Sequence, residues 1–321
     1  MDRPSPGNLP QRRRGIEFDS MPVREILNRC ANRRMPFGWT INPYRGCEMG
    51  CVYCYARYTH EFLDMPDPLD FEHRILVKQQ AAKILERSLA RTALGREAIA
   101  IGTATDPYQP AERQFEVTRS LLEIFARVGE LRLSITTKSA LIVRDLDLLC
   151  TIAQRSRLSV NFSLITLDRT LQRMLEPRAP RPQLRLQAMR QLSTAGIACN
   201  LMMMPMIPGL TDSPSAIEQV MTAAKQAGAR AVYWRALFLK PAAAAYFLPF
   251  IRRRLPESAP GLERMYAANS YAPAYERELE LVFTRLCAKL GWARSTGSPT
   301  PKPAPVTQLS LRFPLASAQR G

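Results

Sequence analysis

Six short apolar or β-branched runs, at residues 39–42, 98–103, 131–136, 158–163, 198–204 and 231–237, alternate with stretches whose apolar residues recur at helical spacing. The helical stretches cover 74–89, 114–128, 142–154, 184–194 and 214–226, the last stopped by Gly228. Strand and helix in strict alternation predict βα units and a parallel sheet. The expected architecture is α/β, a partial (β/α)6 barrel of the TIM type spanning residues 36–240. Such barrels carry their chemistry on the loops that follow the strand C-termini. Residues 1–35 read as a basic N-terminal extension, and 241–293 as a helical extension that closes or caps the barrel, with breaks at 256–261 and 268–273. Residues 294–321 begin with a proline-rich linker that has little to bury, and predict a disordered tail.

The chain has 321 residues, 46% of them hydrophobic, enough to bury a sizeable core. Its first fifteen residues hold charges but no apolar segment of signal-peptide type. The most apolar later run, around 198–210, is short and broken by Pro205 and Pro208. These features predict a soluble cytoplasmic protein with no membrane partner.

A formal charge of +17 favours polyanionic partners, DNA first among them. The excess is uneven. Arg12, Arg13, Arg14, Arg33 and Arg34 come early, Arg252, Arg253 and Arg254 late, and 178–190 holds Arg178, Arg181, Arg185 and Arg190 without one carboxylate. Solvated arginines of no particular role are the plain alternative.

Seven cysteines are an odd count, and three of them crowd into eight residues as Cys47, Cys51 and Cys54. Cys30, Cys150, Cys199 and Cys287 are scattered through patterned segments and read as core residues, so no disulfide framework is expected. Three thiolates can hold three irons of a cubane [4Fe–4S] cluster and leave the fourth open, whereas electron-transfer clusters close all four positions. An open metal position can bind a substrate or cofactor. A Cys3His zinc site using His60 and a closed ferredoxin-type cluster are the competing readings. The first lacks paired zinc knuckles, the second a fourth nearby cysteine. Only His60 and His73 exist, and no nucleophile-elbow, P-loop or zincin motif is present to support a hydrolase.

The C-x3-C-x-aromatic-C pattern, with Tyr53 as the aromatic, resembles the signature of the radical S-adenosylmethionine (SAM) superfamily. "CVYCYAR", "GTATDPYQPAE", "TTKSALIVRDLDLL", "SLITLD", "LEPRAP" and "MPMIPGLTD" extend the likeness, over roughly 33–292, to its spore photoproduct lyase-like branch. The resemblance implies a [4Fe–4S] cluster on Cys47, Cys51 and Cys54, whose open iron chelates SAM for reductive cleavage to a 5′-deoxyadenosyl radical. It places Tyr53 near the adenine, Thr105 and Asp106 at the SAM amino group, Lys138 near the carboxylate, and Ser163 at the ribose or methionyl part. Tyr55 corresponds to a suspected radical relay. The family's hydrogen-donating cysteine, however, is matched by Thr103, a poor hydrogen-atom donor. The implied partners are a low-potential electron donor of flavodoxin or ferredoxin type, and DNA.

Beyond the linker, "QLSLRF" resembles the peptides with which bacterial repair factors dock on the sliding clamp, through Gln308, Leu309, Leu311 and Phe313. The leading reading is a radical SAM enzyme acting on nucleic acid, with lyase-like repair or modification activity. The alternatives are a radical SAM enzyme that modifies a peptide or small metabolite, and a DNA-associated iron–sulfur or zinc protein without turnover.

Overall fold

The computed structural model describes residues 15–32, 35–92, 94, 97–267 and 272–292. Arg12, Arg13, Arg14, Arg33, Arg34 and the whole QLSLRF segment lie outside the described residues. The strands are β1 (Glu17–Ser20), β2 (Asn28–Arg29), β3 (Trp39–Ile41), β4 (Tyr44–Arg45), β5 (Arg74–Val77), β6 (Ile99–Ile101), β7 (Arg132–Thr137), β8 (Arg157–Ser163), β9 (Ala198–Met206) and β10 (Ala229–Ala236).

The main sheet has the order β10-β9-β8-β7-β6-β3-β2. Its six strands β3, β6, β7, β8, β9 and β10 form five parallel pairs, and only β2, at the edge, is antiparallel. This is the partial barrel that the alternation predicts. In register, Ile135, Val160 and Cys199 align across β7, β8 and β9, all fully buried, on the face covered by the helices. One residue further, on the opposite face, Thr136, Asn161 and Asn200 align. Asn161 donates to Ser134 Oγ at 2.9 Å and accepts from Asn200 Nδ2 at 3.0 Å, so the inner face carries a hydrogen-bonded polar row. Strand alternation separates the two sets by chemistry.

Two helical expectations change. Residues 74–77 form β5, not the start of a helix, and the helix is Ala81–Arg91. The run Arg-Ile-Leu-Val buries its apolar members by pairing parallel with β1 and antiparallel with β4, in a separate three-stranded sheet. That sheet draws residues 17–20 of the N-terminal stretch into the structure. The 114–128 helix is split at Glu116, which has φ 49°, into Glu112–Phe115 and Val117–Val128. The buried Glu112 carboxylate explains the break: it accepts from Thr118 N at 2.9 Å and Arg119 N at 3.0 Å, capping the second helix. After β10, three helices follow, Pro241–Arg254, Ala259–Tyr266 and Pro273–Leu290. The last is fastened to β10 by Phe283 stacked on Trp234, with ring centroids 4.8 Å apart. Among the described residues, no helix is long and apolar enough to cross a membrane.

Candidate active site

Cys47, Cys51 and Cys54 lie on one loop between β4 and a 3-10 turn, Tyr55–Arg57. The loop's tight path depends on two glycines. Gly46 has φ +88°, and a Cβ there would lie 2.9 Å from the carbonyl oxygens of both Phe71 and Arg74. Gly50 has φ +63°, and a Cβ there would meet Glu72 Oε2 at 2.3 Å and Arg178 Nη2 at 2.6 Å. Cys47 N donates to Phe71 O at 2.8 Å, Val52 N to Leu175 O at 3.0 Å, and Cys54 N to Cys51 O at 3.1 Å. The backbone of the loop is thereby held by segments distant in sequence. Cys47 and Cys51 are buried and Cys54 half-buried. Burial pushes all three thiols up, Cys51 to about 12, so ionising them requires a positive centre close by. They are not gathered around the position of one ion; among the described residues no group of three His, Cys, Asp or Glu side chains is. A cubane, by contrast, takes one thiolate at each of separate iron corners.

Two buried braces grip this loop. On one side Thr105 Oγ1 donates to Gly46 O at 2.6 Å, and Gln109 Nε2 bonds Gly46 O at 3.2 Å and Thr105 Oγ1 at 3.0 Å. Gln109 Oε1 also accepts from Glu48 N at 2.9 Å. Thr105 thus spends its hydroxyl fastening the end of β6 to the cysteine loop. On the other side the buried Glu72 carboxylate receives Arg57, Arg178 and Tyr246. The Arg57 guanidinium lies 3.9 Å from the centroid of the Tyr246 ring.

Glu176, of the "LEPRAP" segment, is fully buried and accepts from the Tyr53 hydroxyl on one oxygen and from Arg185 on the other. Arg185, itself fully buried, also donates to Pro180 O at 2.8 Å and to Ser163 O at 3.0 Å. One chain of hydrogen bonds therefore joins the cysteine loop to the end of β8. Burial opposes ionisation of Glu176, but the Arg185 and Lys138 charges outweigh it and hold the carboxyl below its ordinary range. Burial works against the Lys138 ammonium too, and the negative partners Cys51 and Glu176 leave it raised. Lys138 Nζ stands 5.8 Å from the Tyr53 ring centroid. Asp106 accepts from Tyr108 N at 2.9 Å, Thr137 Oγ1 at 2.6 Å and Lys138 N at 2.7 Å, which ties the end of β6 to the end of β7.

Ser163, the last residue of β8, is buried with its Oγ lacking any hydrogen-bond partner. A buried hydroxyl left unpaired is costly, and at the C-terminal end of a barrel strand it fits a polar ligand. Lys138 supplies a positive charge beside Cys51 and Glu176, and the three thiols would become soft anionic donors once a positive centre is bound. The residues present therefore suit both an iron–sulfur cluster and a small zwitterion bound beside it.

Tyr55 is 41% exposed, and its hydroxyl donates to Thr103 O, so the structure brings together the aromatic and the threonine singled out in the sequence. His60 is buried, with Nε2 3.0 Å from Arg74 O and its ring edge-on to Phe71. These contacts are local packing. Of the four scattered cysteines read as core residues, Cys199 and Cys287 are buried in the core, whereas Cys30 and Cys150 are only half-buried. The sequence did not point to Glu72, Gln109 or Glu176. Arg178 and Arg185, counted with the surface charge in the sequence, turn out to be internal partners of Glu72 and Glu176.

The Radical SAM superfamily model matches residues 41–220, which take in the cysteine loop, the braces apart from Tyr246, and strands β6 to β9. The chain belongs to the radical SAM superfamily. Its cofactors are accordingly a [4Fe–4S] cluster and SAM, and its chemistry is that of an enzyme that needs an electron donor. Among radical SAM relatives, an uncharacterised protein of Mycobacterium tuberculosis (strain ATCC 25618 / H37Rv) is 35% identical over 298 residues, covering 92% of this chain and 86% of the relative. An uncharacterised Methanocaldococcus jannaschii protein is 29% identical over 174 residues, covering 54% of this chain and 62% of the relative. Of solved radical SAM structures, a spore photoproduct lyase mutant with bound AdoMet and dinucleoside spore photoproduct superposes with a TM-score of 0.63 at 16% identity, covering 85% of this chain and 79% of that one. A spore photoproduct lyase complexed with dinucleoside spore photoproduct gives 0.62 at 16% identity, covering 84% and 79%. These likenesses show a shared fold.

Proposed function

We propose that this radical SAM enzyme acts on nucleic acid, in a lyase-like repair or modification reaction, with Cys47, Cys51 and Cys54 as the cluster ligands. When bound, the cluster and SAM supply a 5′-deoxyadenosyl radical, which abstracts hydrogen from an unactivated position. The protein's part is to hold, orient and shield. Ser163 Oγ and Lys138 Nζ receive the polar groups of SAM, and Tyr53, pinned by Glu176, offers its ring as a wall. Thr105 and Asp106 serve as braces. The first fixes the cysteine loop, and the second sets the backbone at Lys138. The observation that carries the reading is the unpaired buried hydroxyl of Ser163 at the end of β8, in a barrel whose Lys138 charge acts on Cys51 of the three-cysteine loop.

Nucleic acid is favoured as substrate by the +17 charge and by the fold shared with spore photoproduct lyase over 85% of the chain. Thr103 in place of a donor thiol argues for a reaction other than repair of the spore photoproduct itself. Tyr55, hydrogen-bonded to Thr103 O, is then the group positioned to relay a hydrogen atom. A low-potential flavodoxin- or ferredoxin-type protein is the expected reductant, and cytoplasmic residence follows from that pairing.

The test is anaerobic reconstitution followed by incubation with SAM, dithionite and damaged or modified DNA. 5′-Deoxyadenosine and changed nucleosides are read by mass spectrometry. Cys51→Ala is expected to abolish 5′-deoxyadenosine formation, whereas Cys199→Ala, a core thiol, leaves it. A fully active Cys51→Ala protein would overturn the cluster assignment. Turnover of SAM with peptides or metabolites, and none with nucleic acid, would overturn the substrate class.

A further inference from the structure

Directly after Cys54 the chain places three aromatic rings on one side of a short helical segment: Tyr55, Tyr58 and Phe62, spaced three and four residues apart. Tyr55 and Tyr58 are near-parallel, with centroids 6.5 Å apart and planes at 28°. Phe62 stands edge-on to Tyr58 at 5.9 Å. Phe62 is 69% exposed and Tyr55 41%, although large apolar rings are normally withdrawn from water. The ladder is anchored at its inner end, where the Tyr55 hydroxyl meets Thr103 O, and leads outward from the cysteine loop.

Cations flank the rings. Lys240 Nζ, from the residue preceding the helix Pro241–Arg254, sits 3.5 Å from the Tyr58 ring centroid. Arg45, half-buried, lies within electrostatic reach of the Tyr58 hydroxyl. Among the described residues neither makes an ion pair with a carboxylate, and Glu61 is the acid close enough to act on Lys240. Exposed rings interleaved with unpaired cations match unstacked bases interleaved with phosphates. A peptide would find few hydrogen-bonding groups along such a face, and a duplex would keep its bases hidden from it.

We propose that Tyr55, Tyr58 and Phe62, with Arg45 and Lys240, form a stacking track that receives a nucleic-acid strand with unpaired or extruded bases and feeds it to the radical site. This rests on the assignment of nucleic acid as substrate, and adds to it the strand form and the surface. Bases stack on Phe62 and Tyr55 while the backbone passes Lys240 and Arg45. Base–aromatic stacking tolerates any sequence, so the track sets strandedness rather than sequence choice.

The experiment is fluorescence-anisotropy titration of the full-length reconstituted protein with a labelled single-stranded oligonucleotide and its duplex, at low and at moderate salt. Phe62→Ala is expected to weaken single-strand binding roughly 5- to 100-fold and duplex binding far less. Lys240→Gln is expected to weaken binding and flatten its salt dependence. Phe62→Trp keeps affinity, and the introduced indole is quenched as bases stack on it. Because Phe62 is exposed, an unchanged melting temperature confirms that Phe62→Ala remains folded. Single-strand binding as tight in Phe62→Ala as in the wild type, with no quenching in Phe62→Trp, would overturn the track and leave the substrate class standing. Wild-type protein with no affinity for either nucleic-acid form would overturn the substrate class itself, and the track with it.

Discussion

The Tyr53 hydroxyl donates to the Glu176 carboxylate across 123 residues of chain, and the other oxygen of that carboxylate is held by the buried Arg185. The residue between Cys51 and Cys54 therefore depends for its position on a buried ion pair. Such a pair adds little when complete, but breaking it strands a buried charge.

Glu176→Ala is expected to cost roughly 3–5 kcal/mol in unfolding free energy, because the Arg185 guanidinium is left without its counter-charge. The acid limb offers a second check. The Glu176 carboxyl is held below the ordinary carboxylate range in the folded state, so its stabilising contribution is present above the unfolded pKa and lost as pH falls through the lower folded value. Denaturant unfolding of the apoprotein as a function of pH should show this loss in the wild type and a shallower acid limb in Glu176→Gln.

Gly50 lies beneath the Glu72–Arg178 pair, and a methyl group there meets both side chains at well under contact distance. Gly50→Ala is expected to combine a left-handed backbone penalty of about 1–2 kcal/mol with displacement of that pair. Lower iron content after reconstitution and a lower melting temperature are the expected readings. Gly196 has φ +88° with open space around it, so Gly196→Ala shares the backbone penalty alone. Equal iron loading in the two variants would show that the pair does not shape the loop.

The barrel strands were legible because their residues are patterned locally. The run at 158–163 reads as a strand on β-branched and apolar content, and β8 is Arg157–Ser163. The cysteine loop was legible from spacing alone. What stayed hidden depends on contacts between distant segments. Residues 74–77 fit a helical pattern continuing to 89, and only the neighbours β1 and β4 make them a strand. Arg185 stands in a stretch without acids, so its charge looks free, yet its partner Glu176 sits nine positions earlier, just outside that stretch. Glu72 reaches Arg178 across 106 residues and Tyr246 across 174, and no periodicity encodes such pairs.

The QLSLRF segment makes a prediction independent of the barrel. We propose, from its resemblance to clamp-docking peptides, that Leu311 and Phe313 would enter an apolar pocket of the clamp and Gln308 would make an orienting hydrogen bond. Deleting residues 306–321 is expected to remove binding to an immobilised sliding clamp and leave 5′-deoxyadenosine formation intact. Clamp affinity unchanged by the deletion would eliminate this docking role.

Lys78 gives a pH signature near the same face of the barrel. It follows β5, is buried, and donates from Nζ to Asn42 O at 2.8 Å, while Asn42 itself bonds Thr103. Burial, with a smaller push from Arg45, lowers its ammonium from 10.5 to about 8. The unfolded chain therefore holds more protons than the folded one between these values, and stability rises with pH across that window. Lys78→Met removes the titration but keeps the apolar stem. The unfolding free energy of the wild type relative to this variant should climb by roughly 2 kcal/mol between about pH 7.5 and 9.5. Taking the difference cancels the buried tyrosines and thiols that titrate in the same range. A flat difference would show that Lys78 keeps an ordinary affinity for its proton, and that its amine reaches water in the folded protein.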